Sequence, residues 1–479
     1  MSDPLARFAR VSPSRGGDYI LSPSVEPVQV MGTIFDCGQE LNGGMAKTFR
    51  DWVPEQNQLM PPSVLDWVPA GHLVHFVLSL VREQLNLEGI FGKYAEERGY
   101  PPFHPGMMVG LLLYAYSQGI YSSRRIAKGC EERVDFMALT GMQHPDFRTV
   151  NLFRSRHLEE LKDLFGQVLK LCQKAGLARL GHVALDGTKI RANASKDQSM
   201  KYGQMKKKER DLKQEIDRWF QQAEQIDEEE DETYGSQRRG DELPEWVRDK
   251  QKRLEKIQEA KAELEAEAEQ AAQAPADPTR TKHEAKPTGV PKDKAQLNFT
   301  DRDSRMMKTS GGYIQGYNCQ AAADADSQVI VAQKVAPNGS DMHELTPMLK
   351  QIRTNLKRQA REISADAGYS SEHNLKQLRR RHIRAYVANR WQKDSARVKR
   401  LRPPAGVGRY VREMWQRLRC ASYRSRYRLR KQVIEPVFGQ IKHARGFRQF
   451  LLRGAKKVSG EWSLLCTVHN MLKLAAVAG

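Results

Sequence analysis

His182-Val183-Ala184-Leu185-Asp186-Gly187-Thr188-Lys189 reads as a short buried strand that ends in a carboxylate. The apolar run is too short for a helix and is bounded by glycines, the pattern of a strand covered on both faces. Glu362-Ile363-Ser364-Ala365-Asp366-Ala367-Gly368-Tyr369 repeats the design: an apolar run, a lone Asp, then small residues. Between them, Tyr313–Ala321 and Gln328–Val335 read as strands flanking Asp324-Ala325-Asp326-Ser327, a hairpin turn. A helix over His343–Gln359 leads into the second Asp strand. A helix over Ser371–Arg381 and a strand over Ile383–Val387 follow, and the last long helix is expected to begin around Arg428 and to carry Glu435.

This β-β-β-α-β-α-β-α order is the outline of an RNase H-like mixed sheet, interrupted after the first strand. Lys196–Ala272 is highly charged and poor in β-formers. Leu212, Ile216, Trp219, Phe220 and Ile226 make one helical stripe, and Leu254, Ile257 and Leu264 a thinner one. Two charged helices joined near Gly235–Leu243 would form an antiparallel hairpin, and the Pro- and Lys-rich Ala274–Ala295 reads as a linker. The fold class expected is a mixed α+β and α/β one, a helical N-terminal domain plus an RNase H-like domain split by a charged helical insertion. The expected boundaries are a flexible leader at 1–54, a helical DNA-binding domain at 55–178, the catalytic domain at 179–195 and 296–479, and the insertion at 196–295.

Within 55–178, Leu73, Phe76, Val77, Leu80 and Val81 recur at helical spacing, and Met107–Tyr116 is a buried helix opened by His104-Pro105. Ser122-Ser123-Arg124-Arg125-Ile126-Ala127 places a Ser N-cap ahead of two arginines and an apolar stripe. It reads equally as the second helix of a helix-turn-helix, with Arg124 and Arg125 entering a groove, or as an ordinary helical hairpin.

The 479 residues carry 78 Lys and Arg against 58 Asp and Glu. Ser371–Lys457 holds 26 of the basic residues and only 4 of the acidic ones, so all of the excess positive charge sits there. Tyr410, Trp415, Tyr423 and Tyr427 are interleaved with it, as on a folded surface that attracts a polyanion. The six cysteines show no CxxC or Cys/His spacing, which argues against a disulfide framework and a structural zinc site. No apolar run spans a bilayer and the N-terminus has no signal-peptide core. The expectation is a soluble, intracellular chain with no membrane partner.

Asp186 and Asp366 on adjacent central strands would meet at one edge of the sheet. Two close carboxylates repel, and a hard divalent cation relieves them. Glu435 on a helix over the same edge would complete a pocket for two ions. Asp301, Asp303, Asp324 and Asp326 are competing carboxylates, but the last pair sits at a turn where Asp is expected anyway.

The sequence resembles the DDE transposases of bacterial insertion sequences from about residue 55 onward. Arg430-Lys431-Gln432-Val433-Ile434-Glu435-Pro436-Val437-Phe438-Gly439-Gln440-Ile441-Lys442 looks like that family's third-carboxylate segment. Leu185-Asp186-Gly187-Thr188-Lys189 and Ala365-Asp366-Ala367-Gly368-Tyr369 look like its two Asp strands, and Phe103-His104-Pro105 through Asp146-Phe147-Arg148-Thr149 like its helical N-terminal domain. The family's last motif runs Tyr, two residues, Arg, three residues, Glu, six residues, Lys. Glu435 and Lys442 keep that spacing. Lys431 stands at the Arg position with Arg430 just before it, and Arg428 at the Tyr position beside Tyr427.

The resemblance implies Asp186, Asp366 and Glu435 as catalytic ligands of two Mg²⁺ or Mn²⁺ ions. It further implies DNA contacts from Lys442, Lys431, Arg430, Tyr427, Arg428 and Lys189, besides Arg124 and Arg125. The partners implied are the element's terminal inverted repeats and target DNA, held by a homodimer. Lys442, seven residues beyond Glu435, is expected on the same helix face, holding the phosphate next to the cut. A junction-cutting RNase H-like nuclease and a non-catalytic transposase-derived DNA-binding protein are the alternatives.

Overall fold

The computed structural model describes residue 49 and residues 51–53, 63–94, 101–234, 245–273, 288–309, 311–336, 338–389 and 406–478, with only the backbone described over 223–234. The expected leader, apart from its last residues, lies outside this set, as do the Gly235–Leu243 joint and most of the linker. Residues 46–479 form one compact unit.

Its first part is helical: α1 (Leu73–Ser79), α2 (Glu88–Phe91), α3 (Pro105–Ser117), α4 (Ser123–Glu132), α5 (Val134–Thr140), α6 (Phe147–Arg156) and α7 (Leu158–Lys174). Pro105 occupies the first turn of α3, where its missing N–H costs nothing, and His104 Nδ1 accepts the Gly106 N–H at 3.2 Å. Because α3 is apolar all round, every residue from Pro105 to Tyr116 is buried. Trp52 joins this core, donating from Nε1 to the Leu139 carbonyl at 3.3 Å.

The strands are β1 (His182–Arg191), β2 (Ser199–Lys201), β3 (Gln296–Asn298), β4 (Arg305–Thr309), β5 (Gly312–Asp324), β6 (Ile330–Ala336), β7 (Glu362–Ala365) and β8 (Arg384–Val387). The main sheet runs β4-β5-β1-β7-β8, with β6 also paired to β5. β5 is antiparallel to β1, while β7 and β8 are parallel to it. Between them come α10 (Leu345–Leu356) and α11 (Glu372–Arg380); α12 (Arg409–Arg417), α13 (Ala421–Gly439) and α14 (Ala455–Ala478) follow. Mixed helix and sheet in this order give a helical N-terminal region and an RNase H-like sheet.

Three expectations need correction. β1 does not end at Asp186 but continues to Arg191, because β5 keeps pairing with it from Asp186↔Ala321 to Arg191↔Gly316 after β7 has stopped at Leu185↔Ala365. The helix carrying Glu435 begins at Ala421, not near Arg428, and it is not the last long helix. That place belongs to α14, buried from Val458 to Met471 with few exceptions and packed on α7, α3 and β6. Its Trp462 donates from Nε1 to the Gln320 carbonyl at 3.2 Å, fastening the helical region to the sheet. β4, β2 and β3 had no counterpart in the sequence reading.

The inserted helices α8 (Tyr202–Tyr234) and α9 (Glu245–Gln273) pack against each other. They spring from the two-stranded β2–β3 sheet, where Lys201 faces Gln296. Leu212, Ile216, Ile257 and Leu264 are buried as the stripe predicts, whereas Phe220 is exposed.

Candidate active site

Parallel pairing of β1 with β7 sets the site. Leu185 faces Ala365, so the residues that follow, Asp186 and Asp366, stand side by side where β7 ends. In open sheets, this carboxyl edge of parallel strands is where the backbone parts and side chains can converge on a ligand. Asp366 caps a single 3₁₀ turn, Ala367–Tyr369, its Oδ1 accepting the Gly368 N–H at 2.8 Å. Asp186 Oδ1 accepts the N–H of Gly187 at 2.9 Å.

Above them runs α13, packed on β1, β5, β7 and β8. Pro436 lies inside this helix and cannot donate to the Gln432 carbonyl, which instead accepts Gln328 Nε2 at 3.2 Å. Arg430 pairs with Asp186 Oδ2, and its other terminal nitrogen lies 3.9 Å from Glu435 Oε1. The guanidinium thus stands between the first and third carboxylates. The Arg430 and Asp186 side chains are 11% and 16% exposed and that of Glu435 is 52%, so the site grades from buried to wet.

Helix geometry explains the grading. Glu435 is five residues beyond Arg430, roughly 140° round the helix, but four beyond Lys431, which shares its outward face. The one-residue slip in the motif therefore has a structural resolution: Arg430 faces the carboxylates and Lys431 is exposed. Tyr427, three residues earlier, lies under the guanidinium, 5.9 Å from its ring centroid. Arg428 is exposed.

Lys442 does not share the outward face of Glu435. After Gly439 the chain widens into a π turn, Gln440–Ala444, and Lys442 Nζ points inward to the Lys189 carbonyl at 2.7 Å. Burial holds its ammonium below the ordinary lysine value. The Lys189 Nζ in turn donates to the Lys308 carbonyl at 2.6 Å. Arg124 and Arg125 lie in the helical region, exposed near the start of α4, with the Arg124 guanidinium 5.2 Å from the Phe147 ring centroid. Ser122 precedes that helix, but its side chain makes no capping hydrogen bond.

The electrostatics fit a cation. Burial pushes the Asp186 carboxyl up to about 7, and the charges of Asp366 and Asp341 push the same way, against Arg430 and the Gly187 N–H. A desolvated carboxylate beside two others is relieved by positive charge, and oxygen donors alone suit Mg²⁺ or Mn²⁺. In the arrangement described, no three His, Cys, Asp or Glu side chains among the described residues stand close enough to share one ion.

Asp341, Asn318 and Gln320 escaped the sequence reading. Asp341 Oδ1 accepts Asn318 Nδ2 at 2.8 Å and Gln320 Nε2 at 2.7 Å, and Gln320 Oε1 accepts the Tyr369 hydroxyl. In sequence, Asp341 sits in Asn338-Gly339-Ser340-Asp341, where a turn Asp ahead of a helix is the ordinary reading.

A mixed sheet in this strand order, joined to a helical N-terminal region, has the architecture of an RNase H-like fold. Comparison with known families narrows this: residues 278–471 match the family model "Transposase DDE domain", and residues 62–156 match "Transposase domain (DUF772)". The chain belongs to the DDE transposases of insertion elements. No curated protein and no solved structure matches it. The DDE match begins beyond the α8–α9 insertion, so it takes in Asp366 and Glu435 but not Asp186, which reaches them through the pairing of β1.

Proposed function

We propose that this transposase moves its element by cut-and-paste: it binds the terminal inverted repeats, hydrolyses phosphodiester bonds at the ends, and joins the freed 3′-hydroxyls to target DNA. The observation that carries the reading is the β1–β7 register, which sets Asp186 beside Asp366 beneath the helix bearing Glu435. Asp186, Asp366 and Glu435 would hold two Mg²⁺ or Mn²⁺ ions. When bound, such ions activate the attacking water or 3′-hydroxyl and stabilise the leaving oxygen. In hydrolysis, water oxygen bonds to phosphorus and the 3′-oxygen leaves with a proton; in joining, that 3′-oxygen attacks a target phosphorus and displaces another 3′-oxygen. No covalent protein–DNA bond is needed.

The remaining residues bind and orient DNA. Lys431 and Arg428, exposed on α13, meet the backbone. Arg430 and Tyr427 exchange their contacts with Asp186 and each other for contacts with the DNA at the cut, and Lys189 and Lys442 line the strand beside Asp186. Arg124 and Arg125 on the helical domain contact the ends. A homodimer holds both ends together, acting on DNA in the cytoplasm. No helix among the described residues is long and apolar enough to cross a membrane.

The test is cleavage of DNA carrying the element's own ends with Mg²⁺ or Mn²⁺. Wild type should cut at the ends. Asp186→Ala, Asp366→Ala and Glu435→Gln should lose cutting by at least about a thousandfold and keep end binding, whose energy comes from the basic surface. Cutting without joining would favour a plain nuclease. Binding without cutting by the wild type would favour a non-catalytic DNA-binding protein.

A further inference from the structure

Both candidate aspartates are followed closely by a glycine, and both glycines are crowded by one side chain. A Cβ on Gly187 would lie 2.6 Å from Asp341 Oδ1, besides 2.4 Å from Gln320 Nε2 and 2.9 Å from Asn318 Oδ1. A Cβ on Gly368 would lie 3.0 Å from Asp341 Oδ2 and 3.0 Å from Asp366 Oδ1. The Asp341 carboxylate therefore rests on the backbone just beyond Asp186 and just beyond Asp366, where only glycine leaves room. Side chains alternate along a strand, so it approaches β1 from the side opposite to Arg430.

We infer that Asp341 is a positioning residue for the carboxylate pair, fixing the backbone after Asp186 and the turn after Asp366 so that both can serve one metal site. This rests on the metal-dependent reading proposed above. Asp341 can only accept hydrogen bonds, so it forces the amide N–H groups of Asn318 and Gln320 to face it. The Gln320 carbonyl oxygen is then turned to the Tyr369 hydroxyl. Tyr369, fully buried, closes the turn that Asp366 caps. Asn318 and Gln320 are buried too, at 1% and 0% exposure, and a buried network of this kind has one satisfied arrangement, which makes it rigid.

Asp341→Ala removes the single oxygen, Oδ1, that accepts both the Asn318 and the Gln320 amide groups. Nothing then fixes the Gln320 amide, and its oxygen no longer has to face the Tyr369 hydroxyl. The turn bearing Asp366 loosens with no contact to DNA removed. Tyr369→Phe breaks the same relay at its far end and keeps all the charges.

The experiment is Mn²⁺ binding to the full-length chain without DNA, followed by electron paramagnetic resonance, with thermal unfolding recorded for each variant. Outer partners of metal ligands typically carry about 10- to 100-fold in affinity, so Asp341→Ala should weaken Mn²⁺ by at least about tenfold. Tyr369→Phe should weaken it less and in the same direction. In cleavage assays, the Mn²⁺ concentration needed for half the maximal rate should rise more than the maximal rate falls. Unchanged Mn²⁺ affinity in a folded Asp341→Ala chain would overturn the inference alone. If that chain does not fold, unchanged affinity in Tyr369→Phe does the same. Absence of Mn²⁺ binding by the wild type would overturn the metal-dependent reading and this inference with it.

Discussion

The sheet and the α8–α9 hairpin treat their acidic residues in opposite ways. Around the sheet, two deeply buried acids are desolvated: burial pushes Asp186 up to about 7, and it does the same to Glu461 on α14, whose carboxylate accepts the N–H groups of Leu451 and Leu452. In the hairpin, acids are paired: hydrogen bonds from Lys213 and Lys261 pull Glu209 down to about 2. The packing follows the same division. The sheet belongs to a core that runs on into the helical region, whereas the hairpin has a small core of its own around Tyr202, Met205, Leu212, Ile257, Ala260 and Leu264. It is laced to the body by Arg302 with Glu259 and Glu263, and by Arg305 with Glu267. Stability in the one region comes from apolar area, and in the other from area aided by many weak ion pairs.

The largest expected effect that would test this contrast is Trp462→Ala. It removes a fully buried indole and its bond to the Gln320 carbonyl, and should cost about 3–5 kcal/mol in chemical denaturation. A loss below about 1 kcal/mol would mean that the helical region and the sheet are stabilised independently of α14.

A smaller effect, dependent on pH, is expected at Glu461. Its carboxyl binds a proton more tightly in the folded chain than in the unfolded one. Its contribution to stability is therefore greatest below its ordinary value of 4.5, declines as pH rises, and levels off above about 7. Glu461→Gln should abolish that decline, so the variant should gain on the wild type between pH 5 and pH 8 by up to a few kcal/mol. Facing Glu461 are the Leu451 and Leu452 N–H groups and the charge of Arg154. A thermal midpoint difference that moves the other way would show that these keep the carboxylate ionised and that burial does not dominate.

The smallest effect is expected in the hairpin. Glu209→Gln removes the charge paired with Lys213 and Lys261 and should cost no more than about 1 kcal/mol, less in high salt. A cost of several kcal/mol, insensitive to salt, would erase the distinction between the two regions.

Much of the sheet was legible because its strands are short apolar runs with clear boundaries. The hairpin at Asp324–Ser327, the helix after Ser371 and the strand at Arg384–Val387 all lie where spacing put them. β4 was missed because Arg305-Met306-Met307-Lys308-Thr309 has neither alternation nor β-branched density, and it is a strand only because β5 offers it an edge. α14 was missed because it is buried on all sides through its middle, with Glu461, His469 and Asn470 set among the apolar residues, and so lacks an amphipathic period. Asp341 was illegible for a different reason: its role lies in what it touches across the sheet, and nothing in its neighbours distinguishes it from a turn residue.

The sequence by itself determined the strand and helix periods, the two Asp-ending patterns, the helix bearing Glu435 and the concentration of positive charge, since all of these depend on residues close together in the chain. Only the tertiary structure decided that Asp186 lies in mid-strand, that Arg430 faces inward and Lys431 outward, that Lys442 turns towards β1, and that Asp341 rests on both glycines. Strand register, the phase of a helix against its support, and the meeting of distant side chains are set by long-range packing. A local pattern does not carry that information.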